Sequence, residues 1–354
     1  KHLLLPILLC SLSISASATT RRVNNTPGVN AQYTSVSDAI TAAVNGDTIH
    51  IEPSSTTYAS FTVAKQLVII GNGYFNNPAV SGLGLNTQNT GLQANSTSTS
   101  VGTVYFEPGS ANSVIMGCYV SSIYVRTGNI TIKRNMVPYG IYLSNYNFTT
   151  SQSFSWSNLD IRQNMIDVGV RTQGGYFTTN GGQYSITGVS IQNNIFYDQQ
   201  NQTGIDLPVG ISGFIQNNVL SHYYSGTVMN VYNFQINNNY IVQGLFNPNN
   251  NVYFNNAANG TQFGNANGNQ QNVAPTSMFA NFNGAGLTET RYTLAAGGPG
   301  VGTGFNGANI GIFGGPDPYK LSGIPPIPTI YSLSAPATTT TSTLQVTLST
   351  RSND

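Results

Sequence analysis

The chain of 354 residues carries 12 Lys and Arg against 11 Asp and Glu, a formal net charge of +1, and only 6% of its residues are charged. An ordinary soluble domain has roughly 25%, and a charge so sparse and balanced excludes a polyelectrolyte tail and a phosphate-neutralising nucleic-acid surface. The 44 Asn, 38 Gly and 20 Tyr describe a β-rich, turn-rich scaffold, and no apolar run reaches the 18 or so residues that span a bilayer.

Residues 1–18 read as a secretory leader. Lys1 and His2 precede Leu3-Leu4-Leu5-Pro6-Ile7-Leu8-Leu9, and small residues follow, ending in Ala16-Ser17-Ala18, an A-x-A cleavage pattern. The expected location is therefore secreted, extracellular or outer cell surface. Loss of the leader removes Cys10 and leaves Cys118 as a lone thiol, so neither a disulfide framework nor a cysteine metal site is expected.

Ser35-Val36-Ser37-Asp38 has the form of a capping box. Val36, Ala39, Ile40, Ala43 and Val44 share one helical face and Gly46 ends the run, which predicts a capping helix within residues 33–46. Asp47-Thr48-Ile49-His50-Ile51 and Phe61-Thr62-Val63 alternate as strands, and Leu67-Val68-Ile69-Ile70-Gly71 is the short apolar run of a buried parallel strand.

A repeat then dominates the chain. Ile132-Lys133-Arg134-Asn135-Met136-Val137 recurs as Ile161-Arg162-Gln163-Asn164-Met165-Ile166 and as Ile191-Gln192-Asn193-Asn194-Ile195-Phe196. Ile215-Gln216-Asn217-Asn218-Val219-Leu220 and Ile236-Asn237-Asn238-Asn239-Tyr240-Ile241 follow, and a degenerate copy at Ile115 to Val120 has Cys118 in the Asn position. Apolar-x-x-Asn-x-apolar describes a strand, a corner and a second strand, with Asn assigned to the left-handed corner conformation. Coils of this kind bury their apolar residues only by stacking, about 4.8 Å apart, with Asn135, Asn164, Asn194, Asn218 and Asn239 as a structural ladder. The fold class expected is all-β: a single-stranded right-handed parallel β-helix with an N-terminal capping α-helix. Leader 1–18 is followed by a helix domain 19–322, including a closing segment at 260–322, and by a Pro-rich linker and Thr-rich β tail at 323–354.

Residues 33–75, with Gly46-Asp47-Thr48-Ile49 and Ile69-Ile70-Gly71-Asn72-Gly73, resemble the opening coil of the right-handed parallel β-helix proteins of the pectin-lyase-like superfamily. Tyr292-Thr293-Leu294 to Gly298-Pro299-Gly300, and Gly304 to Asn309-Ile310-Gly311-Ile312-Phe313-Gly314-Gly315, resemble the closing segment of secreted bacterial β-helix repeat proteins. The resemblance covers residues 30–330 and implies fold rather than activity, since the superfamily holds lyases, hydrolases, esterases, adhesins and inert scaffolds. Its hydrolases carry adjacent aspartates and a Gly-His-Gly element, which this sequence lacks. Its lyases gather several acidic Ca²⁺ ligands near an Arg or Lys base, and acidic residues here are sparse.

Once the repeats are aligned, Lys133 lies over Arg162, with Gln192, Gln216 and Asn237 continuing the column, and Asp160 sits between Thr131 and Ser190. Asp160, Asp167, Arg171, Asp198 and His222 are the weak catalytic candidates; Asp167, Asp198 and His222 follow the Asn corner at similar offsets and could perform acid-base chemistry or, with Asp206, bind Ca²⁺. No other cofactor is expected. The coils after Asn135 and Asn164 are longer than those that follow, and the extra length is expected to project as loops. Tyr139, Tyr142, Tyr146, Trp156, Arg171, Tyr176 and Tyr184 in and beside these loops suit carbohydrate binding, in which sugar faces stack on rings; packing onto the barrel is the other reading. The functional expectation is a non-catalytic structural or adhesive scaffold binding polysaccharide or a cell-surface glycan. The alternatives are a polysaccharide lyase or glycoside hydrolase and a self-assembling fibre subunit.

Overall fold

The computed structural model describes residues 18–74, 98–144, 154–172, 184–197, 203–221, 226–283, 288–336, 338 and 342–351. Among these, three long all-parallel sheets of ten, eight and eight strands wind together as a parallel β-helix. From Val68–Ile70 to Leu245–Asn247 the strands fall to the three sheets in turn, as in Ile130–Lys133, Met136–Val137 and Ile141–Leu143. No described helix is long and apolar enough to cross a membrane.

Strict register builds the interior. On the first sheet Ile49, Ile69, Ile115, Ile132, Ile161, Ile191, Ile215 and Ile236 pair successively, each directly over the next, and all are fully buried. Branched side chains at one inward position of successive coils fill the barrel interior. A helix forms at Val36–Ala42, with Ser35 accepting from the Asp38 N–H. Its Val36, Ala39 and Ile40 join the same core, and the Lys65 ammonium donates to the carbonyls of Ile40, Thr41 and Ala43 at its C-terminal end, where orphan acceptors and the helix dipole favour a cation. A strand at Thr20–Val23, for which the sequence offered no signal, starts the first sheet beside Thr48–Ile51.

The corner after the first sheet is held by asparagine. The backbone N–H of Asn135 donates to Asn164 Oδ1, and the same bond repeats from Asn164 to Asn194, Asn194 to Asn218 and Asn218 to Asn239, each at 2.9 Å. The side-chain Nδ2 groups bond up the same column and also donate to the carbonyls of Ile115, Ile132, Ile161, Ile191 and Ile215 in the preceding coils. The five asparagines are fully buried, so every amide atom is satisfied inside the protein. Cys118 continues the column through its N–H, which bonds Asn135 Oδ1. Asn256 and Asn269 extend the ladder at the other end.

One detail differs from the sequence reading. The left-handed residues are Arg134, Gln163, Asn193, Asn217 and Asn238, one position before each ladder asparagine. The ladder amide must point inward to reach the neighbouring coil, so the positive φ that turns the chain falls on the residue ahead of it. Arg134 and Gln163 accept a conformation costing about 1 kcal/mol or more for a side chain with a Cβ, because their polar ends are bonded elsewhere.

Those bonds lead to the C-terminal segment, which runs back along the barrel past six coils. Thr303 O accepts from Asn255, the Phe305 N–H donates to Asn238, and Asn309 O accepts from Asn217. Ile312 O then accepts from Asn193, Asp317 from Gln163, and Ile324 O from Arg134. Beneath this strap the outward column of the second sheet is apolar: Met136, Met165, Ile195, Val219, Tyr240 and Ala257 pack with Met278, Phe279, Tyr292, Ile310, Ile312 and Tyr319 in a second core. The segment expected to close the barrel covers its side, and burial continues through Gly323, Ile324 and Pro325. Beyond it, Thr329–Ser334 and Thr347–Arg351 pair with each other as an antiparallel hairpin.

The strap is fastened near its end by the fully buried Glu289. Its Oε1 accepts from Tyr74 at 2.9 Å and Tyr319 at 2.7 Å, the two phenols also touch each other, and the Ser322 N–H donates to both carboxyl oxygens. Two phenols supply only two protons for the three oxygen-oxygen contacts, so the ring closes when the carboxyl is protonated and its Oε1 donates to one phenol in place of accepting from it. Burial acts the same way, pushing Glu289 up to about 7 against the hydrogen bonds that pull it down. Gly323 passes so close to the Tyr74 ring and Arg134 O that a Cβ has no room.

Two measurements follow. Replacing Asn194 with Ala strips four hydrogen bonds from a buried site and is expected to lower unfolding stability by about 2–4 kcal/mol in denaturant titration. Because Glu289 holds its proton more tightly folded than unfolded, its contribution is complete at acidic pH and lost as pH rises towards about 7, by roughly 3 kcal/mol at most. The stability difference between the native protein and Glu289→Gln is therefore expected to change across pH 5 to 8, and a flat difference contradicts this.

Candidate functional site on the first sheet

The outward residues of the first sheet form two adjacent rows. Thr131, Asp160 and Ser190 stand in one; Lys133, Arg162, Gln192, Gln216 and Asn237 stand in the other, in the register expected from the repeats. They point outward because alternate residues of each strand turn away from the isoleucine column; the first row continues through Val114 at one end and the exposed Phe214 at the other, and Asn237 at the end of the second is buried.

Charge is concentrated at one place along them. Arg162 Nε lies 3.3 Å from Asp160 Oδ2 and 3.5 Å from Asp317 Oδ2, the latter brought in by the strap. These are ion pairs without hydrogen-bond alignment: Arg162 Nε and Asp160 Oδ1 are both buried atoms with no hydrogen-bond partner. Burial raises the Asp160 carboxyl above the usual aspartate range, Arg162 and Lys133 pull it down, and Asp317 adds to the rise. Burial likewise lowers the Lys133 ammonium, reinforced by Arg162 and Arg134. A carboxyl shifted up beside an amine shifted down is the electrostatic setting in which proton transfer is accessible.

Beside Asp160 a cleft of about 350 Å³ opens at the edge of the sheet, lined by Asn112, Asn129, Thr131, Asn158, Asp160 and Ser190. Asn112, Asn129 and Asn158 are left-handed turn residues of successive coils, and Asn158 Nδ2 donates to Asn129 Oδ1 at 2.9 Å. Gly188 continues this corner with φ +69, where a Cβ meets Asn158 Oδ1 at 2.7 Å. Hydroxyl, amide and carboxyl groups thus converge on one groove, chemistry suited to sugar hydroxyls.

The other candidates are dispersed. Asp167 is buried in the link after the second-sheet strand Met165–Ile166. Arg171 stands on the third sheet, between Tyr142 and Asp206, and donates to the carbonyls of Val168 and Thr203. Asp160, Asp167 and Arg171 therefore share no outward face. Asp206 accepts from Asn230. Among the described residues no three His, Cys, Asp or Glu side chains gather as metal ligands. Asp198, His222, Tyr146 and Tyr176 lie outside the described residues.

Tyr142, Trp156 and Tyr184 are in strands rather than projecting loops: the first-sheet strands of the long coils extend to Phe154–Arg162 and Tyr184–Gln192. Tyr184 is buried and Trp156 packs against the core, while Tyr139 is exposed. Tyr142 belongs to an outward tyrosine stack on the third sheet that the sequence reading missed. Tyr105, Tyr124 and Tyr142 lie with ring centroids 5.1 and 5.0 Å apart and planes within 19°, and the Arg126 guanidinium lies over the first two rings. Tyr124 spends both ring faces on its neighbours, so no face remains for a sugar. The signal was present in Val104-Tyr105-Phe106, Ile123-Tyr124-Val125 and Ile141-Tyr142-Leu143, three apolar-Tyr-apolar triplets about one coil apart.

Comparison with protein-family models, curated proteins and solved structures finds no match.

Replacing Arg162 with Gln removes the largest influence that lowers the Asp160 carboxyl, so its titration midpoint, read by carboxyl-carbon NMR, is expected to rise further; an unchanged or lower midpoint contradicts the ion-pair geometry.

Proposed function

We propose that the protein is an extracellular, non-catalytic β-helix scaffold that holds polysaccharide along the outer face of its first sheet. The observation that carries the reading is the in-register polar stretch of these rows, with Lys133, Arg162, Gln192 and Gln216 repeating once per coil. A linear array of donors and acceptors suits a linear, hydroxyl-rich polymer. Arg162 faces both carboxylates of the cluster, a compensated arrangement that favours binding over turnover. The leader-like residues 1–18 and the resemblance to secreted β-helix proteins support an extracellular location and a glycan partner.

A polysaccharide lyase or hydrolase is the second reading, favoured by the opposed shifts of Asp160 and Lys133. Affinity electrophoresis in gels containing acidic or neutral polysaccharides tests the first reading. Retardation by at least one polymer is expected, weakened in the Gln192→Ala, Gln216→Ala double variant, and migration unaffected by every polymer overturns it. Product assays on the same panel, with and without Ca²⁺, separate the two: turnover abolished by Asp160→Ala establishes the enzyme and removes the scaffold reading.

A further inference from the structure

A second cleft, of about 440 Å³, lies between the ends of late second-sheet strands and the C-terminal segment. Gln243 and Asn259 reach it from the barrel; Phe282, Asn283, Arg291 and Tyr292 reach it from the segment. Its volume falls in the range of small-molecule sites, and its lining is mainly polar, with Ser221, Gln243, Asn259, Asn283 and Arg291 beside the rings of Phe282 and Tyr292.

Arg291 is the unusual member. The other arginines with described side chains are all engaged: Arg21, Arg22, Arg126 and Arg162 with carboxylates, Arg134 and Arg171 with carbonyls. Among the described residues Arg291 has no ion pair or hydrogen bond, and its Nε is a buried atom without a hydrogen-bond partner there. The nearest acidic residue in sequence, Glu289, has its carboxyl committed to Tyr74, Tyr319 and Ser322. A buried guanidinium N–H without an acceptor is costly to maintain. The exposed amide side chains of Gln243, Asn259 and Asn283 likewise make no hydrogen bond among the described residues.

We propose that this cleft binds a small monocarboxylate, the guanidinium of Arg291 gripping its two oxygens while Gln243, Asn259 and Asn283 meet neutral hydroxyl or amide groups and the rings of Phe282 and Tyr292 cover its apolar flank. The planar guanidinium fork matches a carboxylate in two parallel hydrogen bonds. One uncompensated cation among neutral amides matches a single negative charge. The site lies on the second sheet and stands independently of polysaccharide binding on the first. A sugar acid and an acylated amino acid both present this chemistry, and they are separated by experiment.

Isothermal titration of the full chain with D-glucuronate against D-glucose, and with N-acetyl-L-phenylalanine against its carboxamide, tests the proposal. At least one carboxylate is expected to bind about tenfold or more tighter than its neutral counterpart, and to lose about tenfold or more in Arg291→Gln. The arm that binds names the ligand as sugar acid or acylated amino acid. Arg291→Lys, which keeps the charge and loses the fork, is expected to weaken binding as well, and an unchanged denaturation midpoint shows that both variants fold. Equal binding of the neutral counterparts, no heat with either carboxylate, undiminished binding in Arg291→Gln, or sulfate bound as tightly as either carboxylate each overturns it.

Discussion

The structure depends on one property of the asparagine side chain: it donates and accepts along the same line, so one amide can close a hydrogen bond to the coil above and another to the coil below. Repeated from Asn135 to Asn269, that line fixes the vertical register of the first two sheets at their common corner. A slip by one residue would unpair an entire buried column and rotate the isoleucines out of the barrel. In a chain with so few charges, buried amide bonding supplies the specificity that ion pairs supply elsewhere.

The ladder also explains the second core. Once the corner is fixed, the two residues after each ladder asparagine point to opposite faces of the second sheet, one into the barrel and one away from it. Both are apolar in every repeat, so the outer face needs a cover, and the C-terminal segment supplies one while its carbonyls take up the amides of the left-handed corner residues. Corner, cover and buried Glu289 ring are thereby coupled, and a protonation change at Glu289 acts on the far end of a strap that touches six coils.

Much of this was legible in the sequence. The strand-corner-strand hexapeptides gave the stack, the position of Asp160 between Thr131 and Ser190, and the Lys133 to Asn237 column, because side-chain period and repeat spacing leave no other alignment. The left-handed turn was misplaced by one residue: in three repeats an Asn-Asn pair offers two equally suitable corner residues, in the other two Arg134 and Gln163 are less suited to it than the asparagine that follows, and only the ladder bonds decide. The lateral cover was visible as Met136, Met165, Ile195, Val219 and Tyr240, apolar residues at a position that a solvent-facing sheet would fill with polar ones. The strap's course, the Glu289 ring and the Arg291 cleft join residues separated by up to 245 positions and carry no periodic signal. Tyr142, Trp156 and Tyr184, read as loop features, belong to strands, the last two to the nine-residue first-sheet strands Phe154–Arg162 and Tyr184–Gln192.

The outer faces then divide the surface by chemistry: polar rows on the first sheet, an apolar face under cover on the second, stacked tyrosines on the third. All three divisions rest on the register that the asparagine ladder sets, and hydrogen exchange of its side-chain amides tests that most directly. In the native protein the Nδ2 protons of Asn135, Asn164, Asn194, Asn218 and Asn239 are expected to give separate, strongly protected NMR signals, exchanging only on global unfolding. Exchange as fast as that of the exposed side-chain amides of Asn233 and Asn250 would show that the ladder does not hold the coils, and the account of the fold and its faces would fail with it.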